Sequence, residues 1–420
     1  MHPTALLDLA TELLRNVGKL EHPADSVVSS FFKRHRDLGT RERHALAETA
    51  YTLLRRRPLW QHLAQSGSGA LERRLAILAW QGGDGLLRGA LGPHEQTWRE
   101  QVRSLDVSGF SDKLRHNLPD WLANALRQQI GDDNFWPLVR SMDGPAPLDL
   151  RVNTFKAKRE DAQRQLSDAG IASEPTPYSP WGLRVAGKPA LNKLPVFAHG
   201  AVEVQDEGSQ LLAMLVDAKR GEMVVDFCAG AGGKTLALGA MMRSTGRLYA
   251  FDTSGHRLDS LKPRLKRSGL SNVHPAQIAH ERDDRIKRLS GKIDRVLVDA
   301  PCSGLGTLRR NPDLKWRQSP QAIVEMQAKQ TAILASAARL LKPGGRLVYA
   351  TCSLLDVENE GIAQAFTAER TADFKVMPAA EALAKAHVSE PESLVRGDYL
   401  RLWPHVHATD GFFAAVWERR

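Results

Sequence analysis

Apolar side chains recur at helical spacing through the first ~80 residues, in Leu6, Leu7, Leu9, Ala10, Leu13 and Leu14 and again in Ala45, Leu46, Tyr51, Leu53 and Leu54. No strand pattern interrupts them. Thr40 is placed to cap the second of these helices, with Arg43 in its first turn. Glycine clusters at 82–85 and 92–93 predict loops between helices, and one more helix is expected over 119–129. After Gly144-Pro145-Ala146-Pro147 the pattern changes. Strands are expected over 148–153, 182–185 and 201–204 with a helix over 159–169, which makes a small α+β module. From Met223 onward apolar strands at 223–228, 247–252, 272–278, 293–300 and 346–352 alternate with helices at 234–243, 256–268, 320–341 and 357–369. Pro263 predicts a local kink in the second of those helices, and 399–403 and 412–417 read as closing strands. Such alternation implies a parallel sheet with helices on both faces and a ligand outside the carboxyl ends of the strands.

Composition adds little to this picture except through its charge. With 25% charged and 42% hydrophobic residues the chain is an ordinary globular one. Its 58 Lys+Arg against 48 Asp+Glu leave +10, which favours a polyanionic partner because each neutralised phosphate releases a counterion. The excess is uneven. Residues 33–57 hold eight basic side chains against three acids, and a second basic cluster, Arg309, Arg310 and Lys315, with Trp316 beside it, follows the fourth strand. Either can be a solvated face. Beside a nucleotide pocket, however, the second suits phosphate contact and base stacking. The first residues carry no basic start and apolar core of a secretory signal, and the longest apolar run, 211–216, is far short of the ~20 residues that cross a bilayer. Three cysteines cannot all pair. A reducing cytoplasmic setting without a membrane is the expectation.

The first strand of the αβ region runs into Asp226-Phe227-Cys228-Ala229-Gly230-Ala231-Gly232-Gly233-Lys234-Thr235. A phosphate loop of the nucleotide triphosphatases needs glycine where Cys228 stands, and a dinucleotide fingerprint needs one where Thr235 stands. A nucleoside-bearing methyl donor wants an acid at the end of the next strand for the ribose hydroxyls, and Asp252 is there. The loop alone leaves all three open.

Two cysteines narrow the choice. Cys302 follows the fourth strand in Asp299-Ala300-Pro301-Cys302-Ser303-Gly304, and Cys352 ends the fifth in Thr351-Cys352-Ser353. Parallel strands bring both, with Asp299, to the ligand-binding edge. Methylation of cytosine C5 needs such a set, because C5 is too poor a nucleophile until a thiolate has added to C6. An acid facing N3 stabilises the charge that develops, and a second thiol assists loss of the C5 proton or release. Cysteines fifty residues apart without CxxC or clustered histidines make a poor zinc site, so no metal is expected.

These motifs, together with Gly306-Thr307-Leu308-Arg309-Arg310-Asn311-Pro312-Asp313-Leu314-Lys315-Trp316, resemble the RNA cytosine-C5 methyltransferases of the Sun/nucleolar-protein family, and most of all their bacterial small-subunit rRNA (RsmB-type) branch. The resemblance extends over nearly the whole chain. Residues 31–57 are similar to its NusB-like helical domain, Arg151-Val152-Asn153-Thr154 and 204–210 to its central module, and Asp410-Gly411-Phe412-Phe413 to its end. It implies a NusB-like RNA-binding domain at 1–140, a small α+β module at 145–215 and a Rossmann-like catalytic domain at 216–420, in a monomer acting on 16S rRNA. It further implies S-adenosylmethionine held by Cys228, Ala229, Gly230, Ala231, Gly232, Gly233 and Lys234, with Asp252 on the ribose and Arg257 and Asp299 nearby. Cys352 is then the nucleophile and Cys302 the releasing thiol, Asp299 also faces N3, and Lys234 touches the reacting site. One departure stands out. After the third strand, where the family has an Asp, this chain reads Ile278-Ala279-His280-Glu281-Arg282-Asp283-Asp284, which leaves Asp283 or a backbone N–H for the adenine contact. A non-catalytic RNA-binding assembly factor and a phosphate-loop NTPase are the competing readings.

Overall fold

The computed structural model describes all 420 residues, which divide by compactness into two units. The first comprises Met1–Pro145 and, from far along the chain, Thr307–Ser319; the second comprises the remainder.

The first unit is all-helical, as the 3.6-residue periodicity predicts, with helices at Pro3–Gly18, Ala24–Arg34, Thr40–Arg55, Arg57–Ala64 and Leu71–Ala79 around a core that includes Leu7, Leu13, Phe31, Leu46 and Leu54. Thr40 does not cap its helix. Gly39 takes that position, and the Glu42 carboxylate reaches back to accept from the Gly39 N–H at 2.7 Å. A long helix, Asp120–Met142, is interrupted where Gly131 adopts φ 72°.

The segment at 307–319 completes this unit by capping two of its helices. The helix Ala24–Arg34 follows Pro23, which supplies no side-chain cap, and Asp313 accepts from the Ala24 N–H at 3.1 Å instead. At the carboxyl end of Thr40–Arg55, Lys315 Nζ donates to the Arg55 carbonyl at 2.6 Å and Trp316 Nε1 to the Leu54 carbonyl at 2.7 Å. Arg55 in turn donates to the Arg309 carbonyl. A carboxylate at a helix start suits the helix dipole, and at the other helix end the Lys315 amine serves as a hydrogen-bond donor. The expectation that Arg309, Lys315 and Trp316 meet RNA is therefore corrected. Arg309 and Lys315 are buried, and Lys315 and Trp316 spend their donors on helix carbonyls that would otherwise lack partners.

The second unit begins with a four-stranded antiparallel sheet, β1 (Leu148–Val152), β2 (Ser173–Pro175), β3 (Gly182–Val185) and β4 (Val202–Val204), in the order β2-β3-β1-β4. The short strand β2 carries no alternation to announce it. Buried Arg151 donates to Gln205 at 2.6 Å, and Asn153 Nδ2 donates to the carbonyls of Gly200 and Ser268, which fastens this module to the helix Gly255–Ser268. That helix runs through Pro263 as one element.

A nine-stranded sheet follows: β5 (Met223–Asp226), β6 (Arg247–Asp252), β7 (Val273–Gln277), β8 (Ile293–Asp299), β9 (Leu341–Thr351), β10 (Phe374–Met377), β11 (Val395–Arg396), β12 (Tyr399–Leu402) and β13 (Phe412–Arg419). Its order is β11-β12-β13-β9-β8-β5-β6-β7, with β10 also on β13. Strands β5 to β9 are parallel, and β13 lies antiparallel to β9. Helices Glu207–Val216, Gly233–Met241 and Gly255–Ser268 bury one face, and Pro320–Ala338 and Glu360–Glu369 the other, so the core lies in two layers about the sheet. This is the Rossmann-like α/β arrangement expected. No helix is long and apolar enough to cross a membrane.

Burial holds the Lys315 amine down at about 7, against opposing attraction from Asp143. A lysine depressed in the folded state carries fewer protons there than in the unfolded chain, so its contribution to stability rises with pH between its two values. Relative to Lys315→Met, the wild-type chain should therefore gain thermal stability as pH rises from about 7 toward 10, a trend that melting curves of the two proteins will reveal. A constant difference would show that Lys315 is charged throughout.

Candidate active site

Strand order reverses at β5, whose neighbours β6 and β8 lead away in opposite directions, and the crevice outside its carboxyl end is where a ligand fits. The glycine loop leaves β5 there. Its Gly232 has φ 82°, and a Cβ on it would come within 2.1 Å of Leu261 Cδ1, so only glycine lets the loop turn into the helix Gly233–Met241. The Gly230 N–H donates to Asp252 Oδ2 at 2.8 Å, and Asp252 Oδ1 accepts from the Ser254 N–H at 2.7 Å. Loop and neighbouring strand end are thereby fixed to one another.

Asp226, at the end of β5, is fully buried and accepts from Thr235 Oγ1 at 2.7 Å through one oxygen, while its Oδ1 has no partner. Burial pushes this carboxyl up to about 7, opposed by the Thr235 hydrogen bond and aided by the charge of Asp299. Sequence reading assigned Asp226 no role. Its only signal was its place as the last residue of the strand before the glycines.

Lys234 Nζ pairs with Asp299 Oδ2 at 2.7 Å. Burial alone would lower the ammonium, but the charge and hydrogen bond of Asp299, with Cys352 and Asp226 adding, keep it above its usual value. Cys302 and Cys352 come together as well, with their sulfurs 3.4 Å apart and unbonded, against ~2.05 Å in a disulfide. The hydrogen bond with Cys352, burial and the charge of Cys352 push the Cys302 thiol well up, with Glu358 contributing, so Cys302 stays a thiol. Cys228, in the glycine loop, is also pushed well up, by burial and by the three aspartates Asp226, Asp299 and Asp252. It stays a thiol.

The structure thus brings Lys234, Asp299, Cys302 and Cys352 to the carboxyl edge of the sheet beside the loop 228–234. Arg257 lies exposed in the first turn of the helix after β6. Asp283 is spent on its own loop, accepting from the Ala279 and Arg285 N–H groups at 3.0 and 2.9 Å.

A family model described as 16S rRNA methyltransferase RsmB/F matches residues 213–418, and one described as the ferredoxin-like domain of RsmF/B-like methyltransferases matches 118–192. A probable ribosomal RNA small subunit methyltransferase B of Synechocystis is 33% identical over 79% of this chain and 73% of its own length. The Salmonella typhi ribosomal RNA small subunit methyltransferase B is 32% identical over 88% of this chain and 82% of its own. This chain belongs to the RsmB-type rRNA methyltransferase family. The fold agrees, for a crystal structure of the protein PH0851 superposes over 100% of this chain and 99% of its own with TM-score 0.81 and 26% identity. Within the RsmB type the all-helical first unit corresponds to the NusB-like domain.

An RsmB-type enzyme transfers a methyl group from S-adenosylmethionine to rRNA. The residues present fit that donor. Asp226 Oδ1 is a buried acceptor without a partner, and Gly230, with φ 55° and open space where a Cβ would stand, leaves loop backbone free to be approached. The phosphate-loop reading falls with the family assignment, consistent with Cys228 where that loop needs glycine.

Gly232→Ala should destabilise the second unit by roughly 2–4 kcal/mol, from left-handed strain plus overpacking against Leu261, and weaken S-adenosylmethionine binding at least tenfold by calorimetry. Unchanged affinity would remove this loop from the donor site.

Proposed function

We propose that this RsmB-type enzyme methylates C5 of a cytosine in 16S rRNA through a covalent bond between the Cys352 sulfur and C6. The observation that carries the reading is the sulfur pair itself. Two unbonded cysteine sulfurs lie 3.4 Å apart, one held as a thiol by the other, and the Lys234 ammonium responds to the charge of Cys352. A thiolate beside an ammonium is the form that adds to an electron-poor ring.

Cys352 S⁻ attacks C6, and the electrons of the C5–C6 bond shift toward N3, where the Lys234–Asp299 pair provides a proton. C5 becomes enamine-like and nucleophilic. Cys228, Ala229, Gly230, Ala231, Gly232 and Gly233 would hold S-adenosylmethionine, with Asp252 on its ribose, and its sulfonium would give up a methyl group to C5 and depart as the neutral thioether. Once Cys352 is bonded to C6, the charge that held Cys302 as a thiol is gone, so Cys302 passes its proton to water and takes the one on C5; the C5–H electrons restore the C5–C6 double bond, the C6–S bond breaks, Cys352 leaves as thiolate and N3 returns its proton to Lys234. The target base must be single-stranded or flipped out of its stack to enter. The exposed basic side chains Lys33, Arg34, Arg36 and Arg41 of the helical unit add phosphate contacts.

With rRNA and labelled S-adenosylmethionine, Cys352→Ala should lower transfer by about 10³-fold or more, while Cys302→Ala should accumulate an RNA–protein adduct that survives denaturant. Digestion of the wild-type product should yield 5-methylcytidine. Cys352→Ala turning over at the wild-type rate, or a methyl group elsewhere on the base, would overturn the proposal.

A further inference from the structure

Behind the two sulfurs lies a buried carboxylate with no part in the chemistry above. Glu358, in the short helical turn Asp356–Glu358, is 0% exposed. One oxygen accepts from the Ser303 N–H at 2.9 Å and from Gln330 Nε2 at 3.0 Å. The other accepts from Ser303 Oγ at 2.5 Å and from Ser353 Oγ, and these two hydroxyls are themselves 3.1 Å apart. Ser303 is the residue after Cys302 and Ser353 the residue after Cys352. Gln330 also donates to the Pro301 carbonyl at 3.0 Å, so the residue before Cys302 hangs from the same cluster. One carboxylate therefore grips both cysteine turns, which come from different strands fifty residues apart.

Each donor around Glu358 is neutral, and a buried carboxylate is tolerated only while all of them are aimed at it. That requirement is a restraint. The cluster is stiffened from outside by Asn359, which donates to the Ser353 carbonyl at 3.0 Å, and by buried Arg401, which donates to the Leu354 carbonyl at 2.8 Å. C6 and C5 are adjacent ring atoms, so attack at one and proton removal at the other need sulfurs held close but unbonded, and errors of ~1 Å in such geometry cost ~10²-fold.

We infer that Glu358 is a positioning residue that sets the spacing of Cys302 and Cys352. This inference rests on the proposed thiol chemistry for its effect on rate, but the spacing itself can be measured without RNA. Diamide oxidises two neighbouring thiols to a disulfide while being reduced to its hydrazine, and the rate at which the full-length chain loses two of its three free thiols reports how well the pair is held together.

Glu358→Ala takes from the Ser303 N–H its carboxylate acceptor and from Gln330 one of its two acceptors. It should slow diamide cross-linking at least fivefold and lower kcat at least tenfold, with the KM values for RNA and S-adenosylmethionine within about twofold of wild type. Glu358→Gln keeps an oxygen for the Ser303 N–H and turns an amide toward the two hydroxyls, which accept as readily as they donate. It should restore most of both rates, and it keeps the test open if the alanine variant does not fold. Wild-type cross-linking and kcat in folded Glu358→Ala, or in Glu358→Gln loss of rate equal to that of Glu358→Ala, would overturn the positioning role. If Glu358→Ala changes cross-linking while Cys352→Ala remains active, the positioning role stands and the thiol mechanism fails.

Discussion

The reversal of strand order at β5 is the constraint from which the rest of the active site follows. Parallel strands must be joined by crossovers, and where consecutive crossovers turn to opposite sides the loops at the carboxyl ends separate and leave a crevice. The glycine loop, Asp252, Asp299 and Cys352 stand at the ends of β5, β6, β8 and β9, so four unrelated stretches of sequence contribute to one site without any of them touching in the chain. Adding β13 antiparallel to β9 closes that edge of the parallel core. Its start brings Gly411 against the cysteine loops, where Gly306 has no space for a Cβ: a carbon there would lie 2.0 Å from the Gly411 carbonyl and 2.8 Å from that of Cys352.

Burial then decides which groups carry charge. Asp226, Cys228 and Cys302 are all pushed toward their neutral forms by desolvation and by one another, whereas Lys234 resists desolvation because Asp299 lies 2.7 Å away. A site in which most groups are held neutral concentrates its electrostatics on the few that are not. The Lys234–Asp299 pair is one of those few, and it lies at the carboxyl edge of the sheet beside the two cysteines.

Much of this was legible in the sequence, for identifiable reasons. The catalytic strands are buried on both faces and read as continuous apolar runs, and the residues that end them, Asp226, Asp252 and Asp299, are marked by the change from apolar to polar. Strands β2, β10 and β11 were not legible, because short edge segments lack a two-sided apolar signature. The misreading of Lys315 and Trp316 is more instructive. A lysine beside a tryptophan presents the same donors to a phosphate and a base as to two helix carbonyls, and only the position of Arg55 and Leu54 in space distinguishes them. Glu358 was invisible for the opposite reason. It looks like an ordinary surface acid in a helical stretch until four donor groups of Ser303, Gln330 and Ser353 converge on it.

The capping of the helical unit by Thr307–Ser319 has a consequence for how the protein is made. The helices Ala24–Arg34 and Thr40–Arg55 emerge from the ribosome early, yet the carboxylate and the amine that satisfy their ends emerge only after four strands of the parallel sheet and the Cys302 turn. The NusB-like unit is thus first in synthesis but cannot be first to reach its final form. It must wait, partly assembled, for a strap delivered by the domain it precedes, so that this rRNA methyltransferase completes its amino-terminal unit only once about half of its catalytic domain has been translated.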